Sequence, residues 1–496
     1  MPITLIVGMQ TGDEGKGKIV DILGELAAMG IRFQGGANAG HTVVLPDGTK
    51  IKLNLTPSCV DRENVLLGYA AGVVADPIKL ITEWRMLEKA GYSISNRAII
   101  DEGLKVTTPM NRAMDFADEF YRTEILGGEK VGTTGRGIGP TYGDEIFKDP
   151  ILFGMFKRDK DSFAKKIRRH CDEKLRFIKY VKQVDDSNFI KFFEEIHKTE
   201  EKANKKLIET GVISRDDIDY MRFCNPSQVK FNEDEIIDAL WETGTRFKDN
   251  ISDLSLIVHD MLIKGDMVLG EGAQGRVIDK RWGYSPNVTL SHTIASEVSA
   301  GIGVSMDHVD TIVGVLKAYS TKVGVHEFVS KIDPEKYSDI STKLKKVEFG
   351  TTTGRQREVG WIDLPELRRS QIVNGCDEIA IQKLDMLAGH DKLLICNYYT
   401  DESGEKYSVA PRSNEELKEM KPHYMEMEGF KDITNCTDWN KLPLEAKQYV
   451  AEIIKSIQEV NPRKEVKLSY IGTGPQRDNI IKNAPAVKDI IKEYCA

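Results

Sequence analysis

Along this chain the spacing of apolar residues changes period several times. Residues 3–8 (ITLIVG) are a short apolar run ending in glycine, the pattern of a strand covered on both faces. A polar, glycine-rich stretch follows over 10–18, and from Ile19 apolar residues recur at 19, 20, 22, 23, 26 and 27, which predicts a helix. Residues 31–34 read as a second strand, while 42–45 and 50–55 flank Pro46-Asp47-Gly48, a hairpin turn. Further apolar runs at 267–270, 312–320, 379–385, 392–397 and 466–471 predict strands of a central sheet with both faces covered. Between about 156 and 263 the pattern shifts: charges crowd in, glycine thins out, and Phe163, Ile167, Leu175, Ile178 and Val181 fall at helical intervals. The expected fold is α/β: one large domain over 1–496 with a mostly parallel central sheet covered by helices. A charged helical subdomain is inserted at 156–263, with no motif of its own that points to chemistry.

Composition narrows the function. The 496 residues are 40% apolar and 29% charged, the balance of a folded soluble protein. Lys plus Arg (69) against Asp plus Glu (77) leaves −8, so no basic field favours nucleic acid, and an anionic ligand must be held by local geometry. No stretch approaches 18 consecutive apolar residues and the first residues form no basic leader, so neither a membrane partner nor a signal peptide is expected. Seven scattered cysteines without a CxxC pair suggest neither disulfides nor zinc, and fit a reducing cytoplasm.

Six short segments carry chemistry. GMQTGDEGKGK (8–18) follows a strand and opens a helix, so its backbone N–H groups and the positive helix end suit a phosphate. It is not a standard P-loop: neither Lys16 nor Lys18 is followed by Ser or Thr, and Asp13 is the obvious carboxylate for a magnesium ion. GGANAGHT (35–42) offers close backbone approach, with Asn38 and His41 as donors. GTTGRGIGP (132–140) follows no apolar strand, which speaks against a dinucleotide fingerprint, and its threonines and glycines suit a monophosphate. GTTTGRQR (350–357) repeats that chemistry with two arginines, which pair bidentately with carboxylates or phosphates. EGAQG (271–275) and QKLD (382–385) each close a predicted strand, where open sheets bind ligands. The Gln274 amide fits a purine edge. The Asp385 carboxylate matches the paired N1–H and N2–H₂ donors of guanine and would be repelled by adenine's N1 acceptor, discriminating by about 10⁴.

Together with KAYSTKVG and IGTGPQR, these segments lie in the order found in adenylosuccinate synthetases, and the chain resembles that family over nearly its whole length. The resemblance implies a GTP-dependent ligase that joins IMP to L-aspartate, with Mg²⁺ and a homodimeric assembly. It makes Asp13 the general base toward N1–H of IMP and a magnesium ligand, with the carbonyl of Gly40 as second protein ligand. His41 becomes the acid at the β–γ bridging oxygen. Gly12, Gly15, Lys16, Gly17, Gly40 and Thr42 fall to the GTP phosphates, and Arg357, Lys383, Asp385, Gly472 and Gly474 to the rest of GTP. Lys16, Asn38, Thr134, Lys148, Gln274, Thr289 and Arg355 join Asp13 around IMP; Thr352, Thr353, Arg355 and Arg357 fall around aspartate. Both Lys16 and Lys18 are expected to stabilise charge in phosphoryl transfer.

Some positions depart from the family pattern. Thr11 replaces a usual tryptophan, Lys148 stands where an arginine reaches the neighbouring subunit's IMP, and Gln356 and Glu358 replace arginines usual in bacterial members. The alternatives are a phage-type homologue acting on dGMP, which lacks the acid at the position of Asp13, and a non-catalytic GTP-binding homologue. A nicotinamide-dependent dehydrogenase needs a strand–GxGxxG–helix unit that the sequence lacks.

Overall fold

The structure, a computed structural model, describes residues 2–44, 48, 50–322, 326–349 and 356–495. Its centre is a ten-stranded sheet. The strands are β1 (Ile3–Gly8), β2 (Met29–Arg32), β3 (Leu66–Tyr69), β4 (Ala98–Asp101), β5 (Ile251–Ser252), β6 (Val268–Glu271), β7 (Val309–Lys317), β8 (Glu378–Gln382), β9 (Lys467–Gly472) and β10 (Ile480–Ile481). They lie in the order β5-β4-β3-β2-β6-β1-β7-β8-β9-β10, and every neighbouring pair is parallel except β9 and β10. From β1 the chain steps outward to β5, re-enters at β6, crosses β1 to β7 and continues to the other edge. That reversal opens a crevice at the carboxyl ends of β6, β1 and β7, the place where such sheets take ligands.

The pleat explains why β1 reads as continuously apolar. Ile3, Leu5 and Val7 pack into one core, whereas Ile6 joins Ile19 and Val20 of the following helix in the other. Helix α1 (Lys16–Leu23) starts three residues before the expected Ile19, because Gly15 takes the left-handed conformation that begins it.

Other expectations need correcting. Strand β2 ends at Arg32, as Phe33 and Gln34 already lead into the Gly35 turn. The run 312–320 divides at Ala318: the Gln10 side chain donates to Tyr319 O (3.0 Å) and accepts from Lys317 N (2.9 Å), taking over from strand pairing. Residues 320–322 then pair with Glu358–Gly360 instead. The run at 392 is not in the central sheet. Lys392–Thr400 pairs with Ile362–Asp363, Lys406–Tyr407 and Lys421–Glu428 in a second sheet. His41–Val44 and Lys50–Leu53 do form an antiparallel hairpin; its turn residues 45–47 lie outside the described residues.

The 156–263 region holds four long helices, Lys160–Arg176, Asp186–Glu209, Glu233–Thr245 and Leu254–Lys264. It also supplies the edge strand β5, so it is not purely helical. Phe163, Ile167 and Ile178 are fully buried in the core shared with the sheet, while Leu175 is half-buried and Val181 is exposed.

Candidate active site

At the carboxyl end of β1 the chain must turn sharply to reach α1. Gly12, Asp13 and Gly15 all adopt positive φ (108°, 58° and 97°), and a side chain at Gly12 would press on Gln274 Cα at 3.1 Å. Glu14, fully buried, holds this turn: it accepts from Gln10 N (3.1 Å), Gly12 N (2.8 Å) and Lys16 Nζ. No side chain caps the N-terminus of α1, and Gly15, Lys16, Gly17 and Lys18 line a cavity of about 630 Å³. An uncapped helix start opening on a cavity is ready for an anion.

The two lysines are placed differently. Lys16 Nζ bonds Glu14 and Gln274 O (2.6 Å). Lys18 Nζ donates to Gly474 O (2.9 Å) and Asn479 O (2.8 Å), and burial lowers its pKa to about 8. Lys18 therefore clasps the loop after β9, whereas Lys16 is tied to the turn and to Gln274.

His41 is buried between two strand ends. Its Nδ1 lies 2.5 Å from Glu271 at the end of β6, and Arg32 at the end of β2 contacts Nε2. Ser58 completes the Glu271 carboxylate through its N–H (2.8 Å) and hydroxyl (2.6 Å). Burial and the Arg32 charge both lower the His41 pKa. The arrangement is that of a neutral ring donating from Nδ1 and accepting at Nε2.

Asp13 ends a string of alternating charges. Arg357 is ion-paired with Asp13 and with Glu348; Glu348 also accepts from Lys383 Nζ (2.6 Å) and the Tyr319 hydroxyl (2.6 Å), with Lys317 Nζ at 3.6 Å. Burial alone would raise the Glu348 pKa, but Lys317, Lys383 and Arg357 outweigh it and hold the carboxyl well below the usual range. Glu348→Gln would leave these buried cations without their shared anion and is expected to cost about 3 kcal/mol of stability. Denaturant unfolding would read this, and an unchanged midpoint would show the charges satisfied by other partners.

Asn38, Thr134, Gln274 and Thr289, far apart in the chain, line the same cavity as Gly40, His41 and Thr42. Asn38 Nδ2 donates to Thr289 Oγ1 (3.2 Å). Both polar atoms of the Gln274 amide are buried without a partner among the described residues, a costly state that a purine edge would relieve. Lys148 is not in the cavity wall. It is exposed, in the turn after helix Ile138–Ile146 and beside the exposed Ile146 and Phe147. Thr352, Thr353 and Arg355 lie outside the described residues. Gln356 is exposed, and Glu358 pairs with Lys322 and Lys331.

At the far end, Lys383 and Gly474 line the cavity. Lys383 has φ 60°, which stops β8 at Gln382, so Asp385 sits on the short turn Leu384–Leu387 rather than on a strand. One oxygen of Asp385, Oδ1, is buried and unpaired among the described residues, and burial raises the acid's pKa. Gly472 packs against Gln382, where a side chain would meet Oε1 at 2.4 Å.

No group of three or more His, Cys, Asp or Glu suited to a metal occurs among the described residues. The Asp13 carboxylate and Gly40 do border one cavity, and hard oxygen donors so few in number suit magnesium, which takes most of its ligands from phosphate and water. Sequence reasoning missed Glu14, Arg32, Glu271, Lys317 and Glu348. Most stood inside quoted strings, but only their burial and pairing mark them.

The profile of the adenylosuccinate synthetase family matches residues 5–221 and 218–481. Adenylosuccinate synthetase of Delftia acidovorans is 36% identical over 484 residues, 96% of each chain, and that of Colwellia psychrerythraea 35% over 485, covering 97% of this chain and 98% of the other. The fully ligated adenylosuccinate synthetase of Plasmodium falciparum superposes with a TM-score of 0.81 at 27% identity, over 98% of this chain and all of the other. The succinoaminodeoxyadenylate synthetase of cyanophage S-2L, bound to dGMP and dATP, reaches 0.53 at 16% identity over 99% of each chain, a likeness of fold alone. Matched by the family profile over most of its length, by relatives more than a third identical and by a solved member across the whole fold, the chain belongs to the adenylosuccinate synthetase family, purine-biosynthetic ligases that form a carbon–nitrogen bond.

Proposed function

We propose that the enzyme joins IMP to L-aspartate at the expense of GTP, giving adenylosuccinate, GDP and phosphate, in the cytoplasm and as a homodimer. The observation that carries this reading is the common cavity of Asp13, the open start of α1 and the unpaired Gln274 amide. Any carboxylate is a weak base toward a lactam N–H. It succeeds when N1 loses its proton to Asp13 as O6 attacks the γ-phosphoryl group, because that attack acidifies the ring. The resulting 6-phosphoryl-IMP has phosphate as leaving group at C6, and the amine of aspartate displaces it.

Asn38, Thr134 and Thr289 hold IMP beside Gln274; Gly12, Gly15, Lys16, Gly17 and Thr42 cradle the triphosphate, with His41 at its bridging oxygen once Nε2 is released from Arg32 and carries a proton. Thr352, Thr353, Arg355 and Arg357 receive aspartate; Lys383, Asp385, Gly472 and Gly474 read guanine. Asp13 and the Gly40 carbonyl would hold magnesium, which supplies charge neutralisation on the phosphates when bound. The exposed Ile146–Phe147 pair next to Lys148 suits the face of a second copy, on which Lys148 would reach a partner's substrate as a point charge.

Purified protein given IMP, GTP, magnesium and L-aspartate should form adenylosuccinate. No product, or product only from dGMP, would reject the reading.

A further inference from the structure

Helix Asp186–Glu209, in the charged region whose sequence offers no motif, sends one acid inward toward the loop at 132–140. Glu200 is 2% exposed. Its Oε1 accepts from Arg112 Nη2 at 2.9 Å and is ion-paired with Arg136 Nη1; Oε2 accepts from Asn204 Nδ2 at 3.1 Å. Arg136 belongs to the loop itself. Arg112 Nε donates to the loop carbonyl of Gly135 at 3.0 Å, and its guanidinium lies 4.4 Å from the centre of the Tyr220 ring. A single carboxylate thus ties two successive loop residues to a helix of another part of the chain. Burial by itself would push the Glu200 pKa up, but Arg136, Arg112 and Lys79 outweigh it and keep the acid ionised.

The same loop presents Thr134 to the cavity, while Arg136 is buried and outside the cavity wall. Its inner side is fixed by two further bonds, Gly137 N to Asp115 Oδ2 (3.0 Å) and Gly135 N to Thr133 Oγ1 (3.1 Å). Glycines at 135 and 137 take positive φ (63° and 69°), so the loop has little intrinsic preference for this shape and depends on outside anchors.

We propose that Glu200 is a positioning residue for nucleoside-monophosphate binding: by holding Arg136 and Arg112 behind the loop, it sets Thr134 and the neighbouring N–H groups at the spacing that receives a 5′-phosphate. The inference rests on the proposed IMP reading of the cavity and deepens it. Glu200 touches no substrate, so its removal acts on affinity for the phosphate-bearing nucleotide and not on the chemistry at C6.

Glu200→Gln removes the charge and Glu200→Asp keeps it on a shorter arm. Steady-state rates are measured for both with IMP, GTP and aspartate varied in turn, and with inosine replacing IMP. KM for IMP should rise about tenfold in Glu200→Gln and less in Glu200→Asp, with kcat and KM for GTP within about twofold of wild type. The slow rate with inosine, which has no 5′-phosphate, should not change. If Glu200→Gln fails to fold, Glu200→Asp decides the matter. An unchanged KM for IMP in a folded variant would overturn the proposal, as would a joint change of KM for both nucleotides and kcat, the mark of a merely structural role. Wild-type enzyme in the same assay separates the two claims. No adenylosuccinate from wild type removes the substrate reading, whereas normal wild-type turnover with an unaffected Glu200→Gln removes the role of Glu200 alone.

Discussion

Asp13→Ala should lower kcat by about 10³ while GTP still binds, since a positioned general base contributes about 10²–10⁴. The size of the effect follows from the coupling of two events. Nucleophilic attack by O6 without loss of the N1 proton would leave a positive charge on the purine ring, and no other carboxylate shares the turn's exposed side: Glu14 is fully buried and engaged by Lys16 and two backbone N–H groups. The substitution also frees Arg357 from its pair with Asp13. Asp13→Asn therefore serves as a control that keeps a hydrogen-bond acceptor beside the guanidinium but cannot take a proton. Both variants should be equally inactive and both should retain GTP in equilibrium dialysis. A rate within tenfold of wild type in either variant would remove the assigned role.

Asp385→Asn should lower kcat/KM for GTP by about 10³ and shift preference toward xanthosine triphosphate. In the proposed reading the carboxylate accepts from N1–H and N2–H₂ of guanine together. With asparagine, one of these contacts becomes donor against donor, and a buried mismatch of this kind costs far more than a lost surface bond. Xanthine carries a carbonyl at C2, which the new amide can meet. Its unpaired, buried Oδ1 makes Asp385 suited to this test, because its hydrogen-bonding capacity is uncommitted among the described residues. The measurement is the ratio of kcat/KM for the two triphosphates, and an unaltered ratio would refute guanine recognition at this position.

The strands that flank the crevice were legible because their sequences are apolar on both faces: β1 matches its expected bounds, and β6, β7, β8 and β9 lie within a few residues of theirs. Strands β3, β4, β5 and β10 were not read at all. They have two to four residues each and are strands because neighbours on the sheet pair with them. The run at 392 misled for a related reason: an apolar stretch says that it is covered, not by which sheet.

At the site, glycine-rich strings announced the backbone cradle, since positive φ at Gly12 and Gly15 demands that residue type. Side chains that act by pairing were silent. Glu271 and Lys317 look like any charged residue in sequence. Only the fold shows that the first braces His41 and the second approaches Glu348. The partners of Lys18 were silent in the same way: it lines the cavity with Lys16, and only the fold shows its Nζ reaching the carbonyls of Gly474 and Asn479.

That clasp has a consequence for how the enzyme comes into being. Lys18 and Arg477 both tie the chain's first helix to the segment 474–479 near its end, the latter through Asp21, and Arg477 also pairs with Asp61. A nascent polypeptide emerging from the ribosome carries the glycine-rich turn before its first helix early, yet waits for almost the entire message to be translated before the opposite wall of the cavity can dock. A chain truncated before residue 474 therefore lacks the partners of Lys18 and Asp21, and the wall of the cavity formed by Gly474 and Pro475 is missing with them.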